Sequence, residues 1–348
     1  MSNKIILSEV SNGRDNNLDV IRFIAALLVI FSHAFPISQG EKSADFLARF
    51  TNGSLGLGAL AVSIFFVYGG FLICKSVMRL EKSSKFFYAR IVRIFPPLIF
   101  MVLIVTFIFG PFISNMGVVE YFKDTETYKY LLNCLLIPVH NLPGVFDNNI
   151  YKNVVNGALW TLPIEFVCYI ICFFAYKFKI LTKKHYFWIL IFIFTSSIVL
   201  FCILPLPQFY ISILRAMILF FLGVGYYLYQ DKIVLNIKIA VVSCFFIILG
   251  RFIGLFDLIF VMLFPYIMFV IGYGTKRKFS NFASHGEFSY GIYLWGWPVQ
   301  QAICQFFGGK MNPYINAILA MIIALALGII TYFLVDKRII LQLKKNRS

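Results

Sequence analysis

The sequence predicts an all-α fold: a polytopic bundle of about ten membrane-spanning helices with both termini in the cytoplasm. Three observations predict it. Hydrophobic residues make up 60% of the chain and charged residues only 13%, against about 45–50% and about 25% in soluble globular proteins. The apolar residues come in runs of about 20, the length that crosses a hydrocarbon core. Lys and Arg cluster between alternate runs. This composition excludes a water-soluble globule, and the recurrence of the runs excludes a soluble body on a single anchor.

Residues 1–16 are polar and read as a cytoplasmic N-terminal segment. The first run, 17–36, lacks a small-residue cleavage site, so a retained span is expected rather than a signal peptide. Further spans are expected at 56–75, 92–113, 158–176, 186–204, 211–230, 236–252, 255–274, 288–307 and 314–335. Together they form a membrane domain over 17–336, followed by a cytoplasmic tail over 337–348. Only the Gly250 to Gly254 region divides 236–252 from 255–274. The run 128–139 is too short to span and is read as interfacial or re-entrant. The stretch 114–157 carries Pro138, Pro143, Gly144 and several Asp and Asn residues, the composition of a loop.

With the N-terminus in the cytoplasm, 23 of the 31 Lys and Arg fall on the inner side. They include Arg14, the triplet Lys276, Arg277 and Lys278, and Lys344, Lys345 and Arg347 in the tail. This is the positive-inside bias of a membrane protein. It accounts for the net charge of +16, so no nucleic-acid partner is expected. The seven Cys residues show no C-x-x-C spacing, six of them lie in apolar runs, and neither a disulfide framework nor a metal is expected.

Ionisable residues inside spans are costly and mark function by default. The first span carries Arg22 and His33, eleven apart, which places them on one helix face about 16 Å apart along the axis. Asp19 is three residues before Arg22 and within pairing reach. His33 can take and return a proton near neutrality, which makes it the leading catalytic candidate. His140, His185 and His285 lie in loops or at a helix start and read as surface residues. Glu165 lies in the outer half of the fourth span, at a depth similar to His33, and a His33–Glu165 pair is expected there. The alternative partner for Glu165 is a structural Arg such as Arg215 or Arg251. Arg90 and Arg93 are placed in the second intracellular loop, three apart on one face, where they could clamp phosphate or serve only as positive-inside charge. Ser289 and Tyr290 open the ninth span and could line the inner mouth of a site; Tyr290 also suits the interface by depth.

In order along 14–336, these segments resemble the acyltransferase type 3 family of membrane proteins. Leu18-Asp19-x-x-Arg22 with His33 is similar to its Arg-x10-His signature. The run Val62 to Ile73 resembles its second-helix motif, Arg90-x-x-Arg93-x-x-Pro96 its RxxR motif, Leu159-Trp160-Thr161-Leu162-x-x-Glu165 its W-S-L-x-x-E motif, and Ser289 to Leu294 its ninth-helix motif. The sequence departs from the family where Gly69 replaces Ser, where Gly296 replaces His, and where Asp336-Lys337-Arg338 replaces Glu-x-Pro. If the ninth-helix His contributes to acceptor choice in relatives, this chain handles its acceptor differently.

The resemblance implies an acyl donor of the coenzyme A type, such as acetyl-CoA, used as a substrate from the cytoplasmic side, with no permanently bound cofactor. It implies an acceptor hydroxyl on a surface or lipid-linked glycan, such as capsule or O-antigen, at the inner membrane of a bacterium. It also implies binding roles for Asp19, Arg22, Arg90, Arg93, Ser289 and Tyr290, and catalytic roles for His33 and Glu165. Some members carry an extracytoplasmic esterase-like domain; the chain ends at Ser348, just after the tenth span, so none is expected here. The buried charges alone equally suit a proton-coupled transporter or flippase, although no repeated halves are visible. A scaffold role would leave those charges unexplained.

Overall fold

The computed structural model describes residues 4–13, 15–79, 82–275, 279–339 and 341. Arg14, the triplet Lys276 to Lys278 and the tail charges Lys344, Lys345 and Arg347 therefore lie outside the described residues. Ten principal helices follow one another: α1 Leu18–Gln39, α2 Leu57–Met78, α3 Ser83–Ile113, α4 Gly157–Lys177, α5 Lys183–Ile203 and α6 Gln208–Leu228. Then come α7 Ile237–Phe252, α8 Phe256–Gly274, α9 Ser289–Phe306 and α10 Pro313–Ile339. Among the described residues eight are long and apolar enough to cross a membrane, all but α7 and α9. The protein is thus an all-α, multi-pass membrane protein. One two-residue antiparallel pairing, Ile5–Ile6 with Val234–Leu235, ties the N-terminal segment to the α6–α7 connection.

α7 falls short because it has only 16 residues. α9 falls short for a different reason: it is the centre of the bundle. It packs on α1 and α10, and it is buried on every face from Ser289 to Cys304, apart from the partly buried Tyr290. A helix that never meets lipid can carry polar side chains if protein satisfies them. Gln300 donates to the Ile30 carbonyl of α1 at 2.7 Å, and Gln301 to the carbonyls of Tyr151 and Val154 at 2.8 and 2.9 Å. α9 thereby holds the long α3–α4 connection in place.

α3 begins at Ser83, nine residues before the expected start at 92, so Arg90 and Arg93 are helical and not in a loop. Arg and Lys are good helix formers, and their charge obscures the start of a span in a hydropathy reading. Farther along, a π turn runs over Val105–Phe109. The Thr106 carbonyl would need Pro111 as its donor in that turn, and proline has none. The Tyr121 hydroxyl donates to it instead, at 2.9 Å. Tyr121 comes from the short helix Val118–Lys123. The stretch 128–139 forms the end of a helix and a 3-10 piece, Tyr130–Leu135, which packs against α3 and does not cross the bundle.

Two glycine contacts fix the helix packing. A Cβ on Gly70 of α2 would lie 1.8 Å from the Phe220 carbonyl oxygen, and one on Gly223 of α6 would lie 2.2 Å from that of Val67. Gly291 of α9 and Gly328 of α10 meet in the same way, at 2.7 Å. Small residues let membrane helices approach to backbone contact.

Candidate functional site

A chamber of about 820 Å³, part of it open, lies between α1, α2, α3, α4 and α9. Six of the eight site residues expected from sequence line it: Arg22, Arg90, Arg93, Glu165, Ser289 and Tyr290. Its charged mouth lies at the end of the bundle where α1 begins and α10 finishes. There the Arg93 side chain is 43% exposed and that of Arg22 only 15%.

The mouth is organised by Glu287, which sequence reasoning missed. Its Oε2 lies 3.5 Å from Nη2 of Arg22 and 3.7 Å from Nη2 of Arg93. Its Oε1 accepts from the Ser289 amide at 3.2 Å and from the Ser289 hydroxyl. One carboxylate thus joins the RxxR arginine to the first-span arginine and fixes the start of α9. Burial raises its pKa, but Arg22 and Arg93 outweigh burial and hold it below the ordinary carboxylate value. The signal available in sequence was an acidic residue just ahead of a helix start, where anions are favoured. Asp19 lies within electrostatic range of Arg22.

Deeper in, Glu165 accepts from the Tyr169 hydroxyl one turn along α4 and acts electrostatically on Arg22, Arg90 and Arg93. Arg90 lies over the Phe86 ring at 5.7 Å, and its Nε is buried with no hydrogen-bond partner among the described residues. Tyr290 donates to the Ile94 carbonyl at 3.0 Å, joining α9 to α3. Three guanidinium groups around one chamber give it the character of an anion site. Apolar lining from Phe65, Phe66 and Leu72 continues along α2.

His33 lies outside the chamber, next to its far end. The chamber follows α2 from Ile73 to Val62, about 16 Å at the helical rise. One turn beyond Val62, a Cβ on Gly58 would stand 3.6 Å from Nε2 of His33. One turn beyond Tyr293 of α9, the Trp297 ring meets the His33 ring edge-on, centroids 4.7 Å apart. Between the two regions, the Tyr293 hydroxyl donates to the Ala158 carbonyl at 2.5 Å and accepts from Thr161 at 2.6 Å. His33 is only partly buried.

The structure does not join His33 to Glu165. Glu165 belongs to the arginine chamber, while the carboxylate within electrostatic range of His33 is Asp45. Asp45 is 2% exposed and accepts from the amides of Leu47, Ala48 and Leu57 and from the Ser32 hydroxyl at 2.5 Å. It fastens the α1–α2 loop over the helix that carries His33. The alternative partners of Glu165 are also engaged elsewhere: Arg215 with Asp257 at 2.6 Å, Arg251 with the Phe50 carbonyl at 2.7 Å. His140 contacts the Asn156 carbonyl at 3.1 Å, and His185 is exposed at the start of α5.

All three departures from the family's motifs can be located. A Cβ at Gly69 would meet the Phe220 ring at an ordinary 3.7 Å, so the chamber wall there has room for a side chain. At Gly296 it would lie 2.8 Å from Cγ1 of Ile30, so the volume a His would need is filled. Asp336 lies within electrostatic range of Glu287 and Arg93, beside the mouth.

No solved structure matches this chain. An O-acetyl transferase of Shigella phage Sf6 is 29% identical over 339 residues, 93% of this chain and 96% of that protein. Nodulation protein 10 of Rhizobium leguminosarum bv. viciae is 28% identical over 171 residues, 47% of this chain and 44% of that protein. The family model described as "Acyltransferase domain" matches residues 15–336, nearly the whole chain and every element of the chamber. The chain therefore belongs to the acyltransferase family that its motifs resemble, and it is a multi-pass membrane enzyme that transfers acyl groups.

Proposed function

We propose that the enzyme O-acetylates a surface or lipid-linked polysaccharide at the bacterial inner membrane, taking acetyl from cytoplasmic acetyl-CoA. The observation that carries this reading is one chamber with three arginines at one end and His33 one helical turn past the other. The charged mouth suits the phosphates of coenzyme A, with Arg93 and Arg22 bridged by Glu287 and Arg90 one turn nearer the start of the helix that carries Arg93. Ser289 and Tyr290 shape the wall and Asp19 supports Arg22. The chamber length of about 16 Å suits the pantetheine arm, which would bring the thioester toward the Tyr293–Thr161 layer. The termini, and the Lys and Arg clusters with them, take the cytoplasmic side, with α7 and α9 completing ten spans.

His33 serves as general base. It removes the acceptor hydroxyl proton as the oxygen attacks the thioester carbonyl; the carbon–sulfur bond breaks, and the proton passes to the departing thiolate. A covalent acyl-His33 relay uses the same residue as nucleophile. Glu165, on this geometry, balances the arginines rather than orienting His33. The enzyme family favours transfer over the transporter reading.

The test is His33→Ala in a glycan-acetylation assay on membranes that contain the correctly inserted variant. Loss of a general base lowers the rate by about 10²- to 10⁴-fold. Unchanged ester-linked acetyl on the glycan, read by mass spectrometry, overturns the catalytic role of His33.

A further inference from the structure

The α1–α2 loop carries a buried carboxylate, Asp45, whose two oxygens serve different parts of the chain. Oδ1 caps the short helix Phe46–Phe50, accepting from the amides of Leu47 and Ala48 at 2.9 and 3.0 Å. Oδ2 accepts from the Ser32 hydroxyl at 2.5 Å and from the Leu57 amide, the first of α2, at 3.0 Å. These last two donors flank the catalytic candidate: Ser32 precedes His33, and Leu57 precedes Gly58. A Cβ on Gly58 would stand 3.3 Å from Oγ of Ser32 and 3.6 Å from Nε2 of His33. One on Gly56 would stand 3.0 Å from Oδ2 of Asp45 and 3.5 Å from Oγ of Ser32. The two glycines leave the space in which Asp45, Ser32 and His33 gather.

All four donors to Asp45 are neutral. Arg49 of the same loop is exposed and makes no ion pair with it among the described residues. A buried carboxylate held only by neutral donors keeps most of its charge available to a neighbour. That neighbour is His33, and Asp45 is the one charged group acting on it among the described residues. The other faces packed round the ring carry no charge: α2 presents Gly58 and α9 presents Trp297. Tyr151 packs on the Trp297 ring, and Tyr293 lies one turn inward, engaged with Thr161 and Ala158. Arg22 is about 16 Å away along α1.

We infer that Asp45 is the positioning residue of His33: it fixes the two segments between which the ring sits and stabilises the imidazolium that forms during transfer. The inference rests on the proposed role of His33 as general base. As the acceptor oxygen attacks the thioester carbonyl, its proton moves to His33, which becomes positive. The carbon–sulfur bond breaks, and the proton passes from His33 to the thiolate. Asp45 stays ionised throughout, exchanges no proton and touches no substrate. A fixed carboxylate in a poorly solvated setting favours the step in which positive charge appears beside it. Its hydrogen bonds to Ser32 and Leu57 keep it from turning away.

The test is the pH dependence of acetyl transfer from labelled acetyl-CoA to the host's own envelope glycan, in membranes with equal amounts of inserted protein. Without the carboxylate, His33 remains the free base in more acid medium. Asp45→Asn should therefore move the acid limb of the turnover profile down by about one pH unit and lower its plateau about threefold to tenfold. The KM for acetyl-CoA should stay within about twofold, because the donor chamber is untouched. Ser32→Ala removes one hydrogen bond and keeps the charge, so its acid limb should coincide with that of the wild type. A purely structural cap loses inserted protein in both variants and leaves the limb in place. Should Asp45→Asn fail to insert, Ala48→Lys sets a cation beside the carboxylate with its hydrogen bonds intact, and the limb should move the same way. An unmoved limb in the charge-altering variant overturns the inference, and so does an equal move in Ser32→Ala. His33→Ala is the control. If it retains transfer, the base reading falls and this inference with it; if it is inactive while the limb is unmoved, Asp45 alone loses its role.

Discussion

Glu287 shows how one unremarked residue can govern a charged mouth. Arg22 and Arg93 repel each other, and Glu287 is the carboxylate placed between them. Its lowered pKa means that it favours folding in its ionised form. Its stabilising effect is fully present above the unfolded carboxylate pKa and is lost as pH falls through the lowered folded value. Glu287→Gln should therefore cost about 1 kcal/mol at neutral pH, the value of hydrogen bonds to a charged group reduced for partial exposure. The stability difference between wild type and variant should shrink on acidification below the carboxylate range. Thermal unfolding of both proteins across that range checks it, and a difference independent of pH would contradict the ion-pair account. Sequence made Arg22, His33 and Glu165 visible because each interrupts an apolar run. It could not show Asp45, and it offered Glu287 only as an acidic residue ahead of a helix start, because a carboxylate in a polar loop looks the same whether it faces water or an arginine. The expected His33–Glu165 contact came from depth alone, and depth along two helices does not fix which way each turn faces.

Helix positions were readable from hydropathy for most of the bundle, since nearly every span began within a few residues of its expected place. The exception is α3, whose first turns carry Lys85, Arg90 and Arg93. Charge there marks a chamber wall, and a hydropathy reading takes it for a loop. Interhelical contact was less readable. The pair Gly69-Gly70 looks uniform in sequence, yet the two glycines do different work. Gly70 lets α2 reach the α6 backbone, where a methyl group would sit 1.8 Å from an oxygen. Gly69 faces the chamber with ordinary clearance. Gly70→Ala should destabilise the bundle by at least the 1–3 kcal/mol of about one overpacked methyl group, and Gly223→Ala should act likewise. Gly69→Ala should leave stability nearly unchanged, within about 0.5 kcal/mol. Midpoints of the three variants in one detergent decide it; equal losses at 69 and 70 would remove the assignment of Gly70 to the α2–α6 contact.

At the scale of the bundle, hydropathy identifies the helices that face lipid and undercounts the one that does not. α9 is the most enclosed helix, and it is enclosed because it carries the side chains that organise the rest. If α7 and α9 both cross, ten spans place both termini on one side, the side of the arginine mouth. The two-strand pairing at Ile5–Ile6 and the contact of Lys75 with the Ser11 carbonyl put the N-terminal segment at that same end. The α4–α5 connection lies at that end as well, and the α3–α4 connection at the other. Single cysteines at Lys179 and at Lys152, both exposed, then report on opposite faces in a background from which the native cysteines are removed. A membrane-impermeant maleimide on intact cells should label Lys152→Cys and should reach Lys179→Cys only after the membrane is opened. The same orientation, with the mouth toward the cytoplasm, requires that inverted membrane vesicles consume added acetyl-CoA while right-side-out vesicles do not. Labelling of Lys179→Cys from outside would reverse the bundle. It would put the arginine mouth on the side without coenzyme A, and the donor would then have to reach His33 by a route other than this chamber.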